Sequence, residues 1–182
     1  MILRRGALFA AALAVLAGPA SAQLVPGLSP PASPAEAIDD AHSVLCTLAA
    51  AGRPMPGLNM KPIGGEGFTP LDRLPKALEP FFQSGPAEKI VQLKSPGDPV
   101  WLIHDPRSGA CAIISFTDPA PAVARLLKSL DQPGSWKRRS ELGKDIDHAY
   151  EWKVDSLTLL TEIAFPDSPG PPLVVIVTRG KS

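Results

Sequence analysis

The chain lacks an excess of charge of either sign, because 18 lysines and arginines are balanced by 18 aspartates and glutamates. Proteins that bind nucleic acid need clustered cations to neutralise phosphates. The one dense basic run is Lys137-Arg138-Arg139. Successive side chains of a strand alternate between its two faces, so this run does not form one basic patch. The charge balance therefore excludes nucleic acid as a predicted partner.

Motifs for metal and cofactor binding are also missing. The chain has 2 cysteines and 3 histidines, and none of them forms a Cys-x-x-Cys, His-x-His or His-Glu-x-x-His pattern. The glycine-rich stretch at residues 64–67 is not followed by the Lys-Ser/Thr pair of a phosphate-binding loop. We therefore predict neither a metal nor a cofactor.

Catalytic motifs are equally scarce. The sequence has no Gly-x-Ser-x-Gly nucleophile elbow, although a triad of Ser115, His104 and Asp105 can be assembled from it. His104 and Asp105 are adjacent in the chain, which is a poor arrangement for one to orient the other. A second enzymatic interpretation is a periplasmic hydrolase with a site near His104, Asp105 and His148. It requires these three side chains to point into one concave pocket.

The longest apolar run lies at the start of the chain. A short cationic start precedes an Ala/Leu-rich stretch at residues 6–17, and small residues follow up to Ala22. This order is typical of a cleaved Sec-type signal peptide over residues 1–22, with cleavage between Ala22 and Gln23. The apolar run is shorter than the ~20 residues that cross a bilayer. We therefore predict a periplasmic or secreted protein without a transmembrane span in the mature chain.

The two cysteines, Cys46 and Cys111, are an even number in a chain predicted to be exported. Oxidising compartments favour disulfides, so we predict that they pair with each other. The bond would join a predicted helix to a predicted strand and close a loop of about 65 residues, which stabilises the fold by roughly 4 kcal/mol in the chain-entropy model. Two buried thiols or a redox pair are the alternatives.

Residues 34–182 are predicted to form a single α+β domain after a flexible tether at residues 23–33. We expect a two-layer sandwich in which two helices, 34–51 and 119–131, pack on one face of an antiparallel sheet of about six or seven strands. Proline-rich residues 53–86 are predicted to be a loop that contains a short helix over 70–82, capped by Thr69. The predicted strands are 89–93, 100–104, 110–116, 136–141, 149–154, 156–165 and 173–179.

The first helix has a clear start and an apolar stripe. Ser33 is the predicted N-cap and Glu36 its partner in a capping box. Ile38, Ala41 and Leu45 follow at helical spacing. His42 falls on the polar side of this predicted helix. Val123, Leu126, Leu127 and Leu130 form the corresponding stripe of the second helix.

The turn-and-strand segment Ser108-Gly109-Ala110-Cys111-Ala112-Ile113, which precedes a helix, resembles segments of small exported proteobacterial proteins of unknown function. The resemblance covers residues 34 to 180, and its motifs are turn and disulfide residues. It therefore implies export and a disulfide but no catalytic residue. We interpret the chain as an exported, disulfide-stapled, non-catalytic envelope protein that binds a protein or small ligand through its sheet face and proline-rich loop.

Overall fold

A computed structural model of the chain describes residues 31–53, 68–82, 89–93, 95–165 and 171–180. These residues form one eight-stranded antiparallel sheet with two helical regions, which confirms the predicted α+β class. The strands are β1 (Phe68–Leu71), β2 (Lys89–Leu93), β3 (Val100–His104), β4 (Cys111–Ser115), β5 (Lys137–Arg138), β6 (His148–Val154), β7 (Leu157–Ala164) and β8 (Leu173–Arg179). The predicted signal peptide and most of the tether lie outside the described residues. Within the described ranges, no helix has the length and apolar character needed to cross a membrane.

The sheet joins two four-stranded meanders at their last strands. Its order is β1-β2-β3-β4-β8-β7-β6-β5. A helical region precedes each meander in the chain, so the topology is a helix and four strands, repeated once. β4 and β8 pair in the centre, from Cys111 opposite Val177 to Ser115 opposite Leu173. This arrangement places Cys111 in the middle of the sheet, where a helix can cover it.

The sheet has one strand more than the largest number expected from the sequence. The additional strand is β1, which lies inside the segment predicted as a proline-rich loop and pairs with β2. The helix predicted over 70–82 is wrong, because its first residues belong to β1 and residues 76–81 form turns. Pro70 obscured the strand, since proline lacks an N–H and is tolerated mainly in edge strands. β1 is such an edge strand.

The opposite edge of the sheet is formed by β5, which is much shorter than the strand predicted over 136–141. Lys137 and Arg138 pair with β6, opposite Glu151 and Tyr150, and the Arg139 N–H adds a hydrogen bond to the Ala149 carbonyl oxygen at 2.8 Å. The two outer strands of the described sheet are therefore a four-residue strand containing proline and a two-residue strand carrying two cations.

The first helical region begins as predicted. The Ser33 side chain accepts a hydrogen bond from the Glu36 N–H at 3.2 Å, and Pro34 is the first helical residue. A capping box predicts that the Glu36 carboxylate accepts a hydrogen bond from the N–H of the N-cap residue, Ser33. In the structure it accepts from the N–H of the preceding residue, Ala32, at 2.7 Å. The region ends near Gly52, which has a φ of +71° and can adopt this left-handed conformation without a Cβ clash.

This region is not a uniform α-helix. It consists of α1 (Pro34–Asp40), a π-helical segment (Ala41–Cys46) and α2 (Thr47–Ala50). Its buried residues repeat every fourth position, at 37, 41, 45 and 49 and at 38, 42, 46 and 50. A regular α-helix repeats every 3.6 residues, so the wider turns of the π-helical segment bring both rows onto one face. The placement of His42 on the polar side is therefore wrong, since only 2 % of this residue is exposed.

The second helix, α3 (Pro119–Leu130), packs beside α1 on the same face of the sheet. The Arg125 side chain of α3 contacts the Asp39 carboxylate at 3.0 Å and the Glu36 carboxylate at 3.4 Å. These contacts are partly solvent-exposed, and ion pairs near the surface add little stability. The apolar residues of both helices therefore provide most of the attraction to the sheet.

The N-terminus of α3 offers a measurable test of capping. The Asp118 carboxylate accepts a hydrogen bond from the Ala120 N–H at 3.0 Å. We expect Asp118→Ala to lower the free energy of unfolding by about 1 kcal/mol, because the N–H loses its acceptor. Asp118→Asn keeps an acceptor oxygen and is expected to lose much less. Urea unfolding of the three proteins measures the difference, and equal losses in both variants would contradict the cap.

The main core lies between the helical regions and the face of the sheet that they cover, here called the helix face. Cys46 and Cys111 are fully buried in it, and their Cα atoms are 5.2 Å apart. The two residues form a disulfide, so the predicted pairing is present in the structure. The bond connects the π-helical segment to β4, the strand that joins the first meander to the second.

A smaller core lies on the opposite face of the sheet, here called the outer face. Residues 72–82, here called the strap, cross the first meander on this side. Leu74 and Leu78 of the strap are buried against Ile90, Trp101 and Ile114. The strap therefore covers the outer face of β2, β3 and β4. It occupies part of the segment predicted as a proline-rich loop.

Candidate binding groove on the outer face

The three residues of the predicted hydrolase site are not brought together. His104 ends β3 and His148 begins β6, and β4, β8 and β7 lie between these strands. Four strand spacings of about 4.8 Å separate the two histidines by roughly 19 Å across the sheet. Ser115, the candidate nucleophile, is fully buried. It is also distant from His104, because His104 lies opposite Cys111 at one end of β4 and Ser115 lies at the other end.

Asp105 and His104 participate in the turn between β3 and β4. The Asp105 carboxylate accepts from the Arg107 N–H at 2.9 Å and from the Ser108 hydroxyl at 2.7 Å. The His104 Nδ1 atom lies 3.1 Å from the Ala110 carbonyl oxygen. Both side chains therefore stabilise the local turn. The hydrogen bonds, first of all the one from the Arg107 N–H, hold the pKa of the partly exposed Asp105 below its usual value.

His148 has different neighbours at the far side of the sheet. Its Nδ1 atom lies 3.0 Å from the Arg138 guanidinium nitrogen Nη2, and its ring meets the Phe165 ring edge to face at 6.1 Å. Arg138 is the donor, so Nδ1 acts as the acceptor of this bond. His148 therefore joins the edge strand β5 to β6 and does not face Asp105.

His42 is a buried histidine that the sequence analysis had placed on the polar side of the first helix. Its Nε2 atom lies 2.9 Å from the hydroxyl of Thr161, which is also buried. Its ring packs against Trp136 at 5.4 Å, and Trp136 packs against Trp152 at 5.6 Å. Burial lowers the pKa of His42 to about 4. The four-residue spacing of Ile38, His42 and Cys46 was the sequence signal that could have placed it inward.

The tryptophans serve mainly in packing. Trp136 and Trp152 cover the margin of the main core, and Trp101 lies in the outer-face core beneath the strap. The Trp101 ring meets Phe116 edge to face at 5.8 Å. Its indole N–H is buried and has no hydrogen-bond partner among the described residues.

The outer face of the sheet differs between its two halves. The strap covers the first meander, whereas the outer-face side chains of β7 and β8 remain half-exposed at Leu160, Glu162 and Ile176. The connection between β1 and β2 in the first meander is longer than the equivalent connection between β5 and β6 in the second. The longer one carries Leu74 and Leu78 across the sheet. The end of the strap therefore forms a step beside an open surface.

A groove of about 190 Å³ lies at this step. It is here called the outer-face groove, and its lining includes Phe82, Ile103, Asp105, Ala110, Ala112 and Ile176. Ala112 lies between Ile103 of β3 and Ile176 of β8 in one row across the sheet. Because alanine has only a methyl side chain between two isoleucines, it forms the floor of an apolar depression.

A second, larger groove of about 440 Å³ lies at the turn between β2 and β3. Three prolines, Pro31, Pro96 and Pro99, line much of it. Its described lining carries neither a charged side chain nor an aromatic ring, in contrast to the outer-face groove. We therefore take the outer-face groove as the candidate site.

In the described part of the chain, no three histidine, cysteine or acidic side chains are grouped so that they could hold a metal ion. Comparisons of the chain with protein-family models, with curated proteins and with solved structures find no match. The geometry of the chain itself is therefore the basis for a functional proposal.

Proposed function

We propose that the protein is an exported, disulfide-stapled envelope protein that binds a segment of a partner protein in the outer-face groove and has no catalytic role. The observation that carries the proposal is the groove itself, in which an alanine floor lies between two isoleucines beside Phe82. Exposed apolar depressions of this kind are typical of interaction sites.

Export is supported by two independent features. The sequence predicts a signal peptide over residues 1–22, and both cysteines of the chain are joined in a disulfide. Disulfides persist in oxidising compartments such as the bacterial periplasm and are rare in the cytosol. A buried disulfide between a helix and a central strand is consistent with a structural role after export.

The size of the groove favours one anchoring side chain over a whole small molecule. Pockets for small-molecule ligands usually measure about 300–1,000 Å³, and the outer-face groove is smaller. Protein interfaces often concentrate their binding energy in a few anchor residues that fill such depressions. The absence of a shared pocket for His104, Asp105 and His148 gives no support to hydrolysis at that trio.

Site-specific photo-crosslinking in living cells tests this proposal. A photoreactive phenylalanine derivative in place of Phe82, which lines the groove, is expected to yield a discrete crosslinked species in the periplasmic fraction, on a chain that begins at Gln23 by mass spectrometry. The matched control is position 142, because Leu142 is 47 % exposed and belongs to the connection between β5 and β6. Ile176→Asp is expected to abolish the species by placing a charge in the groove.

Two results would overturn the proposal. The first is a crosslinking pattern that is the same from positions 82 and 142, which would indicate random collision. The second is recovery of the chain in the cytosol with residues 1–22 still attached, which would contradict export. Thr158→Leu, an apolar substitution elsewhere on the outer face, controls for a general change of that surface and is expected to leave the crosslink unchanged.

A further inference from the structure

We propose that the outer-face groove selects partner segments in which an apolar anchor residue lies next to a lysine or arginine. This inference rests on the proposed function and adds the chemistry of the partner. It comes from two carboxylates that lie near the apolar floor, one on each side.

The first carboxylate belongs to Asp105, which lines the groove. The Arg107 N–H and the Ser108 hydroxyl fix its position in the turn after β3. It remains partly exposed to solvent and, with a pKa below its usual value, is ionised at neutral pH. Asp105 follows Ile103, a wall of the groove, by two residues. A cation next to an anchor residue in the depression can therefore approach it.

The second carboxylate belongs to Glu162 of β7. Glu162 lies directly opposite Ile176, the other wall of the groove, and is half-buried on the same outer face. Its neighbour on the other side is Ala149 of β6. Among the described residues, Glu162 forms no ion pair within 4.0 Å. A partner cation would therefore meet a carboxylate that has no other counter-ion there.

The lysines of β5 and β6 on the outer face are placed differently, and the cations of the strap, Arg73 and Lys76, are not part of the described lining of the groove. Lys153 pairs with Glu151 at 3.6 Å, and Lys137 lies opposite the same Glu151, so both are associated with the far edge of the sheet. Arg107 belongs to the turn of Asp105, and the charge of its guanidinium, unlike its backbone N–H, has the smallest of the effects on the pKa of that carboxylate. The described lining of the groove itself contains no lysine or arginine. The groove is therefore apolar at its floor and acidic on both sides.

The spacing of these groups fits a short peptide segment. Ile103, Ala112, Ile176 and Glu162 form one row across four neighbouring strands. Three strand spacings of about 4.8 Å make this row roughly 14 Å long, which an extended chain covers with about four residues. A basic residue immediately before or after the anchor can reach one of the two carboxylates.

Three matched peptides test the inference: acetyl-Phe-Lys-amide, acetyl-Phe-Gln-amide and acetyl-Phe-Glu-amide. Binding to the mature protein is followed by the amide NMR shifts of Ala112 and Ile176. We expect the lysine peptide to bind more tightly than the glutamine peptide. The expected factor is about fivefold for each carboxylate that lies about 4 Å from the lysine charge in water. The glutamate peptide is expected to bind most weakly, and the preference should shrink as salt is added.

Variants identify the groups responsible. Glu162→Gln and Asp105→Asn are each expected to reduce the preference for the lysine peptide, and Asp105→Asn keeps an acceptor for the turn. Asp98→Asn removes one charge at the opposite end of β3 and is expected to change nothing. Ala112→Leu fills the floor and should abolish the shifts with all three peptides.

The outcomes separate the two proposals. Equal affinities for the three peptides, or an absence of shifts at Ala112 and Ile176 with all of them, would overturn the inference about charge. The crosslink from position 82 would then still support partner binding. A preference for lysine that persists in both Glu162→Gln and Asp105→Asn would also overturn it, because the selectivity would come from elsewhere. Loss of the crosslink alone would contradict the proposed function.

Discussion

Replacing both Cys46 and Cys111 with alanine is expected to lower the free energy of unfolding by roughly 4 kcal/mol. The disulfide closes a loop with a sequence separation of 65 residues, and the chain-entropy model gives this value for a crosslink of that length. Domains are usually stable by only about 5–15 kcal/mol, so the variant would lose a large fraction of its stability. Guanidinium unfolding followed by tryptophan fluorescence measures the change.

The wild-type protein under a reducing agent is the control for this double variant. Reduction removes the crosslink and keeps both sulfur atoms in the core. Similar losses in the reduced protein and in the alanine variant would attribute the effect to the crosslink. A loss of less than about 1 kcal/mol in both would contradict the view that the bond holds the first helical region to β4.

Acidification from pH 7 to pH 4 is expected to remove about 3 kcal/mol of stability through His42 alone. Its pKa in the folded protein is about 4, against an ordinary value of about 6.5 in the unfolded chain, and each pH unit between these values corresponds to 1.36 kcal/mol. Burial is the cause, because the ring lies between the helical region and the sheet, where a charge is poorly solvated.

The direction follows from proton binding. Between pH 6.5 and pH 4 the unfolded chain binds a proton on His42 and the folded protein does not. Stability is therefore fully present above pH 6.5 and falls as the pH decreases toward 4. Carboxylates titrate in the same range, so the effect of His42 is obtained by comparison with a variant.

His42→Gln provides this comparison, because glutamine does not titrate and can still hydrogen-bond the Thr161 hydroxyl. Its loss of stability between pH 7 and pH 4 is expected to be smaller than that of the wild type by about 3 kcal/mol. His148→Gln is the matched control at a half-buried position near the sheet edge. Parallel curves of stability against pH for the wild type and His42→Gln would show that His42 is accessible to protons in the folded state.

Much of the sheet could be predicted because alternation and turn residues act locally. Val100–His104 and Leu173–Arg179 have the predicted bounds, as β3 and β8. Both are bounded by proline or glycine signals and carry apolar residues in the run. The order of the strands could not be predicted in this way. It depends on long-range pairing between β4 and β8, for which a single strand carries no local signal.

The first helical region shows where local reasoning fails. Ser33 caps its start as predicted, and the region ends near Gly52. For the interior, the 3.6-residue period of a regular α-helix predicted that the His42 side chain faces solvent. The inward spacing of four residues arises from the π-helical segment, and tertiary packing of Cys46 and His42 on the sheet accompanies it. Helical propensity alone does not contain that information.

The candidate site was predictable only in outline. The sequence indicated that the outer face and the proline-rich segment would contribute to binding. It could not show that the strap ends at Phe82, or that Ala112 lies between Ile103 and Ile176, because these neighbours come from three separate parts of the chain. The trio of His104, Asp105 and His148 failed for the same reason, since their separation depends on strand order.

The two outer strands of the sheet determine how a partner can approach. Adding a strand to a sheet requires a continuous row of free N–H and C=O groups along its edge. Pro70 removes one N–H from β1, and β5 offers only Lys137 and Arg138. Neither edge is suited to templating a ninth strand, so the described sheet resists both edge-to-edge aggregation and β-strand addition. The proposed recognition of a partner is therefore left to side chains on the faces of the sheet.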